Sequence, residues 1–302
     1  VEARWLLTSL QGEKVAVLET SQACGLSRLS AEERNPVLTG TQGVGELILK
    51  AIEAGVSILI TGIGGSGTND GGAGMAEALG YRFYDETGQL LRAVPKELAR
   101  CVRVEKPAQL ILPRILVASD VVNPLLGIRG ATRVYGPQKG LQSDQIEPLE
   151  EILKRLSQTV IRDCAVDLTE SSGAGAAGGL GWGLMTFCGA QMESGFSLIA
   201  RVTGLEDRIR QADFVVTGEG SLDGQTLEGK TPHGVAGLAK KQGKPVFAVA
   251  GRILEEEKLE DIFDALMPIA TRPMTLEESC ASAADLLQQA GKRMGHWIRV
   301  RV

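Results

Sequence analysis

The sequence predicts an α/β protein of two domains, a Rossmann/flavodoxin-like parallel three-layer sheet interrupted by a second, mixed α/β domain. Three observations carry this reading. Short apolar runs such as "VSILITG", "RILVASD", "ADFVVTGEG" and "KPVFAVAG" alternate with amphipathic stretches, which is the cadence of βαβ units. The run "VSILITG" is apolar almost throughout, as in a parallel strand covered on both faces. The 38 glycines fall disproportionately between strands and helices, and in open α/β sheets the loops at strand C-terminal ends are where ligands bind.

In chain order, "ARWLLTSL", the turn "QGE" and "KVAVLET" read as a hairpin, because apolar β-formers flank a Gly-containing break. "VGELILKAIEAG" places Val44, Leu47, Ile48 and Ile52 near one helix face and ends at Gly55. The strand "VSILITG", the loop "GIGGSGTNDGGAG" and a helix "GMAEALG" closed by Gly80 follow. From Tyr81 to about Arg201 the pattern changes to a strand "RILVASD", a long helix "QIEPLEEILKRLSQTVIRDCAV" and a Gly/Ala-rich helix entrance. Alternation then resumes with "ADFVVTGEGSLD", "HGVAGLAKKQG", "KPVFAVAG", "DALMPIA" and "SAADLLQQAGKRMGHW". The expected division is residues 40–80 with 202–302 as the Rossmann-like domain, and 1–39 with 81–201 as the second domain.

Composition removes several functional classes. The 302 residues suit two domains, and the formal net charge of -5 is spread, without the basic block that a nucleic-acid partner requires. No apolar run reaches the ~20 residues of a membrane span, and the N-terminus lacks the order of a signal peptide. A cytoplasmic protein with no membrane and no nucleic-acid partner is expected. The five cysteines are scattered and form no C-x-x-C pair, so they read as free packing thiols. With only His233 and His296 available, any catalysis falls to carboxylates and lysines. The chain begins at Val1 rather than Met, so a preceding segment is expected to be missing.

Two stretches match nucleotide-binding patterns. Gly62, Gly64 and Gly67 satisfy G-x-G-x-x-G, but the next residues, Thr68, Asn69, Asp70, Gly71 and Gly72, suit a turn and a cap better than a first helical turn. Asp70 would also set a carboxylate where a diphosphate would lie. The readings are an NAD loop, a structural turn with Asp70 as a cap, and a substrate or phosphate loop. "GQTLEGKT" at Gly224 to Thr231 satisfies the P-loop pattern, yet "FVVTG" is expected to end near Gly218, with "EGSLD" intervening. Three strand ends deliver carboxylates (Asp70, Asp120, and Glu219 with Asp223), and two loops deliver Lys139 and Lys230. These are the parts of phosphoryl transfer: a base, ligands for Mg²⁺ and cations for the moving group. "GAGAAGGLG" at Gly173 to Gly181 reads equally as a backbone cradle or as close packing by small residues.

Taken in order, "ETSQACGL", "RNPVLTGTQGVGELI", "GIGGSGTNDGGAGMAEALG", "ASDVVNPLLG" with "VYGPQKG", "GAGAAGGLGWGL" and "GEGSLDGQTLEGKTPHGVA" closely resemble the bacterial glycerate kinase family. That resemblance implies ATP- and Mg²⁺-dependent phosphorylation of D-glycerate, usually to 2-phosphoglycerate, in a cleft between two α/β domains. It implies D-glycerate and ATP as partners and leaves a homodimer open. The rival readings are an NAD-dependent oxidoreductase and a non-catalytic glycerate-binding scaffold. Two departures stand out: the family's Ser-Phe-Lys and "DGGEG"-like loops do not occur, and Gly67 stands where alanine is expected. Within this reading Asp70 orients or deprotonates the glycerate hydroxyl. Asp120, Glu219 and Asp223 are the candidate Mg²⁺ ligands, and Lys139 and Lys230 neutralise the transferring phosphoryl. Ser66, Thr68 and Asn69 bind substrate or phosphate oxygens, with Gly64, Gly65, Asn123, Gln138, Gly218 and Gly220 lining the site.

Overall fold

The computed structural model describes residues 2–224, 231–254 and 256–300. They form two compact units, Val1–Gly195 and Phe196–Val302.

The first unit is built on a five-stranded sheet of order β1-β2-β3-β7-β8. The hairpin is as expected: β1 (Trp5–Leu10) pairs antiparallel with β2 (Glu13–Glu19). Two short helices, α1 (Ser21–Cys24) and α2 (Gln42–Glu53), lead to β3 (Ile58–Gly62). β3 pairs in parallel with both β2 and β7 (Arg114–Ala118) and is buried from Ile58 to Thr61, which accounts for its unbroken apolar run. Helix α2 buries Val44, Leu47 and Ile48 of the face that its periodicity sets apart, with Ala51 buried and Ile52 only half-buried, and each large buried apolar side chain contributes roughly 1.5–3 kcal/mol. Helix α3 (Ala73–Ala78) follows the glycine loop, and Gly80 at φ +99° turns the chain out of it.

Between α3 and β7 lies a small antiparallel sheet that the sequence reading passed over. It comprises β4 (Arg82–Tyr84), β5 (Leu90–Leu91) and β6 (Arg103–Glu105), with α4 (Pro95–Leu98) between the last two. Strands of two or three residues carry too little periodicity to be recognised. Helix α5 (Ala131–Tyr135), the long α6 (Ser143–Cys164) and α7 (Ala176–Cys188) complete the layer, and β8 (Gln191–Glu193) closes the sheet in parallel with β7. Trp182 is fully buried and meets Phe187 edge-on at 5.6 Å.

Helix α8 (Gly195–Thr203) begins on the last residue of the first unit and continues into the second, followed by α9 (Leu205–Gln211). The second unit's parallel sheet has the order β11-β10-β9 and is made of β9 (Val215–Leu222), β10 (Val246–Ile253) and β11 (Ala265–Pro268). Helix α10 (Thr231–Lys241) lies between β9 and β10, and α11 (Glu256–Glu260) between β10 and β11. Helices α12 (Leu276–Ala281) and α13 (Ala283–Val300) come last. Alternation along β10 shows the three layers: Val246, Ala248 and Ala250 pack with Val235, Ala236 and Ala239 of α10. Val249 and Phe247 face the other way, toward Leu286, Ala290 and Met294 of α13.

The structure differs from the sequence expectation in two respects. Residues 40–80 belong with the first unit rather than with 202–302, because β3 is hydrogen-bonded between β2 and β7. A βαβ cadence occurs in both units, and cadence alone does not say which strands pair. Strand β9 also runs past Gly218, because Glu219, Ser221 and Leu222 stay in register with Ala250, Arg252 and Ile253 of β10.

Candidate active site

In the first unit the parallel strands β2, β3, β7 and β8 end along one edge of the sheet. Register sets Glu19 beside Gly62, Gly62 beside Ala118, and Ala118 beside Glu193. From this edge the loop from Gly62 to Gly72 leaves β3, and Asp120 and Asn123 lie just past β7.

The loop turns one small face to solvent and buries the rest. Gly64 and Gly65 are exposed, whereas Ser66, Thr68, Asn69 and Asp70 are buried. Its backbone is tied to the segment after β2: Leu26 N–H donates to the Gly65 carbonyl at 2.8 Å, and Gly67 N–H to the Cys24 carbonyl at 2.8 Å. Helix α3 begins only at Ala73, so Gly67 does not open a helix as a dinucleotide loop requires. The NAD reading has no structural footing at this loop.

Asp70 lies beneath the loop and is 1% exposed. Its Oδ2 accepts from Thr41 N–H at 2.7 Å, Thr41 Oγ1–H at 2.8 Å and Gly74 N–H at 3.1 Å, while Oδ1 accepts from Gly72 N–H at 3.1 Å. Burial pushes its carboxyl up from the ordinary value, and the donors from Thr41, Gly74 and Gly72 oppose that shift. A base needs a lone pair within reach of the proton it takes. Asp70 accepts four hydrogen bonds from the turn into α3 and the start of α2, three of them at Oδ2.

Lys139 sits at the end of the 3-10 turn Pro137–Lys139 and is 2% exposed. Its Nζ donates to the Thr68 carbonyl at 2.7 Å and to Ser66 Oγ at 3.0 Å, so it braces the loop from below. Burial lowers it to about 8, and the nearby Cys24 and Asp70 pull the other way. Cys24 is itself pushed up to about 11, chiefly by burial and then by Asp70. Asn69 Nδ2 donates to Thr132 Oγ1 at 3.0 Å, while Asn69 Oδ1 has no hydrogen-bond partner among the described residues.

The Gly173 to Gly181 stretch resolves to close packing. The chain has positive φ at Ala177, Gly178 and Gly179, and Gly178 accepts the Gly71 N–H at 3.1 Å. A Cβ on Gly178 would stand 2.0 Å from the Thr68 carbonyl oxygen. This segment is the seat of the loop rather than a cradle for a ligand.

Asn123 locks the loop after β7: its Nδ2 donates to the Arg129 carbonyl at 2.7 Å, and its Oδ1 accepts from Tyr135 O–H at 2.9 Å. Asp120 is exposed and accepts the Gly195 N–H at 2.9 Å, and Gln138 is exposed. In the second unit Gly218, Glu219 and Gly220 line a cavity of about 1320 Å³ together with Gly251, Arg252 and Arg272. Asp223 is half-buried just past β9, and Lys230 lies outside the described residues, as does most of "GQTLEGKT".

Among the described residues no group of three or more His, Cys, Asp or Glu is arranged to hold a metal. The expected carboxylates are instead divided, Asp120 in the first unit and Glu219 with Asp223 in the second. Their hard oxygen donors still suit Mg²⁺, which is commonly held by one or two carboxylates plus substrate phosphates.

Glu19 was not among the carboxylates that the sequence singled out. Its carboxylate lies over Gly62, where a Cβ would stand 2.4 and 2.5 Å from its two oxygens. The available signal was its place at the end of the predicted strand "KVAVLET".

A family model described as the glycerate kinase family matches residues 1–299. A glycerate kinase of Halalkalibacterium halodurans is 42% identical over 299 residues, covering 97% of this chain and 78% of the relative. A glycerate 2-kinase of Escherichia coli K12 is 38% identical over 302 residues, with coverage of 97% and 78%. A crystal structure from Salmonella typhimurium LT2 assigned to glycerate kinase 2 superposes with a TM-score of 0.83 at 36% identity, covering 98% of this chain and 83% of that one.

Proposed function

The chain belongs to the glycerate kinase family, and on that premise we propose that it phosphorylates glycerate at the expense of ATP. The observation that carries the reading is the family match across nearly the whole chain, whose glycine loop is built into the ligand-binding edge of a parallel sheet. The finer reading is D-glycerate as acceptor and the 2-hydroxyl as the oxygen phosphorylated. The Escherichia coli relative's name, glycerate 2-kinase, supports the choice of oxygen.

Phosphoryl transfer asks a protein mainly to position the reactants and to stabilise charge. The exposed backbone of Gly64 and Gly65 is the loop's contact surface for substrate. Ser66, Thr68 and Asn69 act through the loop's shape, since their side chains are buried. Asp70 and Lys139 hold that shape from beneath rather than touching the transferring group. Asp120 in the first unit, and separately Glu219 and Asp223 in the second, have the oxygen donors suited to an ion carried by the nucleotide, which when bound would neutralise phosphate charge. No described helix is long and apolar enough to cross a membrane. A cytoplasmic enzyme acting on small molecules, with neither membrane nor nucleic acid as partner, is part of the same proposal.

The test is a coupled assay of ADP release with D-glycerate and Mg²⁺–ATP, followed by phosphorus NMR of the product. Glycerate-dependent release of ADP with formation of 2-phosphoglycerate is expected. ATP-independent binding of glycerate with no turnover would overturn the kinase reading, and 3-phosphoglycerate would overturn the choice of oxygen.

A further inference from the structure

We propose that Glu19 is the general base of the reaction, accepting the proton of the glycerate hydroxyl as it attacks. The inference rests on the glycerate kinase reading and names a residue within it. Glu19 is the last residue of β2, at the ligand-binding edge of the sheet, in register with Gly62 at the root of the loop. It is exposed, and no hydrogen bond or ion pair joins its carboxylate to another described residue. The other carboxylates of this edge each have a partner. Asp70 accepts from Thr41, Gly72 and Gly74, Asp120 accepts from Gly195, and Glu193 has a partner of its own. Glu19 therefore has its acceptor lone pairs open at the same edge as the exposed Gly64 and Gly65.

Gly62 supplies the second observation. The Glu19 carboxylate occupies the space that any side chain at position 62 would need, with Cδ 2.7 Å from a built Cβ. The backbone makes no demand for glycine here, since φ at Gly62 is not positive, so what the glycine leaves room for is the present position of the carboxylate. A strand end whose missing side chain admits a free carboxylate is a way of fixing a base against a substrate loop.

In the step, the hydroxyl O–H bond breaks and its proton passes to a Glu19 carboxylate oxygen. The freed electron pair forms the bond from the glycerate oxygen to the γ-phosphorus of ATP. The bond from that phosphorus to the β–γ bridging oxygen breaks, and its electrons leave with ADP. Glu19 then returns its proton to solvent.

The experiment compares kcat and KM for glycerate in wild type, Glu19→Gln, Glu19→Asp and Gly62→Ala, each checked for fold by circular dichroism. Glu19→Gln should lower kcat by about 10² to 10⁴-fold, the usual contribution of a general base, with KM within about threefold. Glu19→Asp should recover part of the loss. Gly62→Ala should fold, because the atoms it meets are the far end of a flexible side chain, yet lose at least about tenfold in kcat by pushing the carboxylate aside. Glu19→Gln with kcat within about threefold of wild type would overturn the proposal. So would recovery of its kcat on raising Mg²⁺, which would make Glu19 a metal ligand. A wild type that releases no ADP with glycerate is the separate outcome that overturns the kinase reading, and the base role with it.

Discussion

Thr41 and Asp70 are joined twice: the backbone N–H and the hydroxyl of Thr41 both donate to Asp70 Oδ2, at 2.7 and 2.8 Å. The same Thr41 Oγ1 accepts the Met75 N–H at 2.9 Å. One buried pair thereby fixes the start of α2, the turn after Asn69 and the first turn of α3. The glycine loop is held from its C-terminal side by this knot.

Asp70→Asn should therefore act first on stability. The amide keeps one acceptor oxygen but turns an NH₂ toward backbone donors, leaving at least one buried N–H unsatisfied. The expected cost is about 1–3 kcal/mol, read as a lower urea midpoint with unchanged slope. Well below the melting range, the folded variant should keep more activity than Glu19→Gln. Unchanged stability with turnover lost by orders of magnitude would return Asp70 to the chemistry.

Lys139 gives the fold an alkaline signature. Burial lowers it to about 8, so below that pH the folded and unfolded chains both carry the proton and the cost of burying the charge is fully present. Between about 8 and the ordinary lysine value the unfolded chain binds more protons, so this group's contribution to stability rises with pH. The rise is on the order of 3 kcal/mol across the window at about 1.4 kcal/mol per pKa unit. Urea titrations of wild type and Lys139→Met between about pH 7 and 10 should show their difference moving in favour of wild type. A difference that stays constant counts against the buried, depressed lysine.

Gly178→Ala places a Cβ 2.0 Å from the Thr68 carbonyl oxygen at a residue with φ +71°. Left-handed backbone costs about 1–2 kcal/mol and forced overpacking about 1–3 kcal/mol. A loss of about 3 kcal/mol is expected by chemical denaturation, with activity falling because the loop loses its seat. Wild-type stability would refute the packing role.

Gly218→Ala tests the second unit separately. Its Cβ would stand 2.2 Å from the Val249 carbonyl oxygen, between paired strands β9 and β10. Hydrogen exchange should accelerate in Val246–Ile253 while β3 stays protected. Equal acceleration in β3 would mean that the two units do not open independently.

Much of the fold was legible because it rests on local pattern. The hairpin, the helix carrying Val44, Leu47 and Ile48, the buried strand before the glycine loop and the alternation from Ala212 onward are all periodicities that a chain displays on its own. The small sheet of β4, β5 and β6 was not, since its strands are too short to show a period. The domain grouping of residues 40–80 failed for another reason. Whether β3 pairs with β7 or β9 is a matter of long-range pairing and register, which local periodicity does not carry.

For the site, the sequence by itself determined where chemistry could happen: the glycine loop, the strand-end carboxylates and the two loop lysines. Tertiary structure decided which of those groups face solvent. Asp70 and Lys139 look catalytic by type, but burial obliges a polar group to find partners inside the protein: Asp70 finds them in Thr41, Gly72 and Gly74, and Lys139 in the Thr68 carbonyl and the Ser66 hydroxyl. Glu19 looked like an ordinary strand end until register set it beside a glycine, where a carboxylate fits only because a side chain is missing.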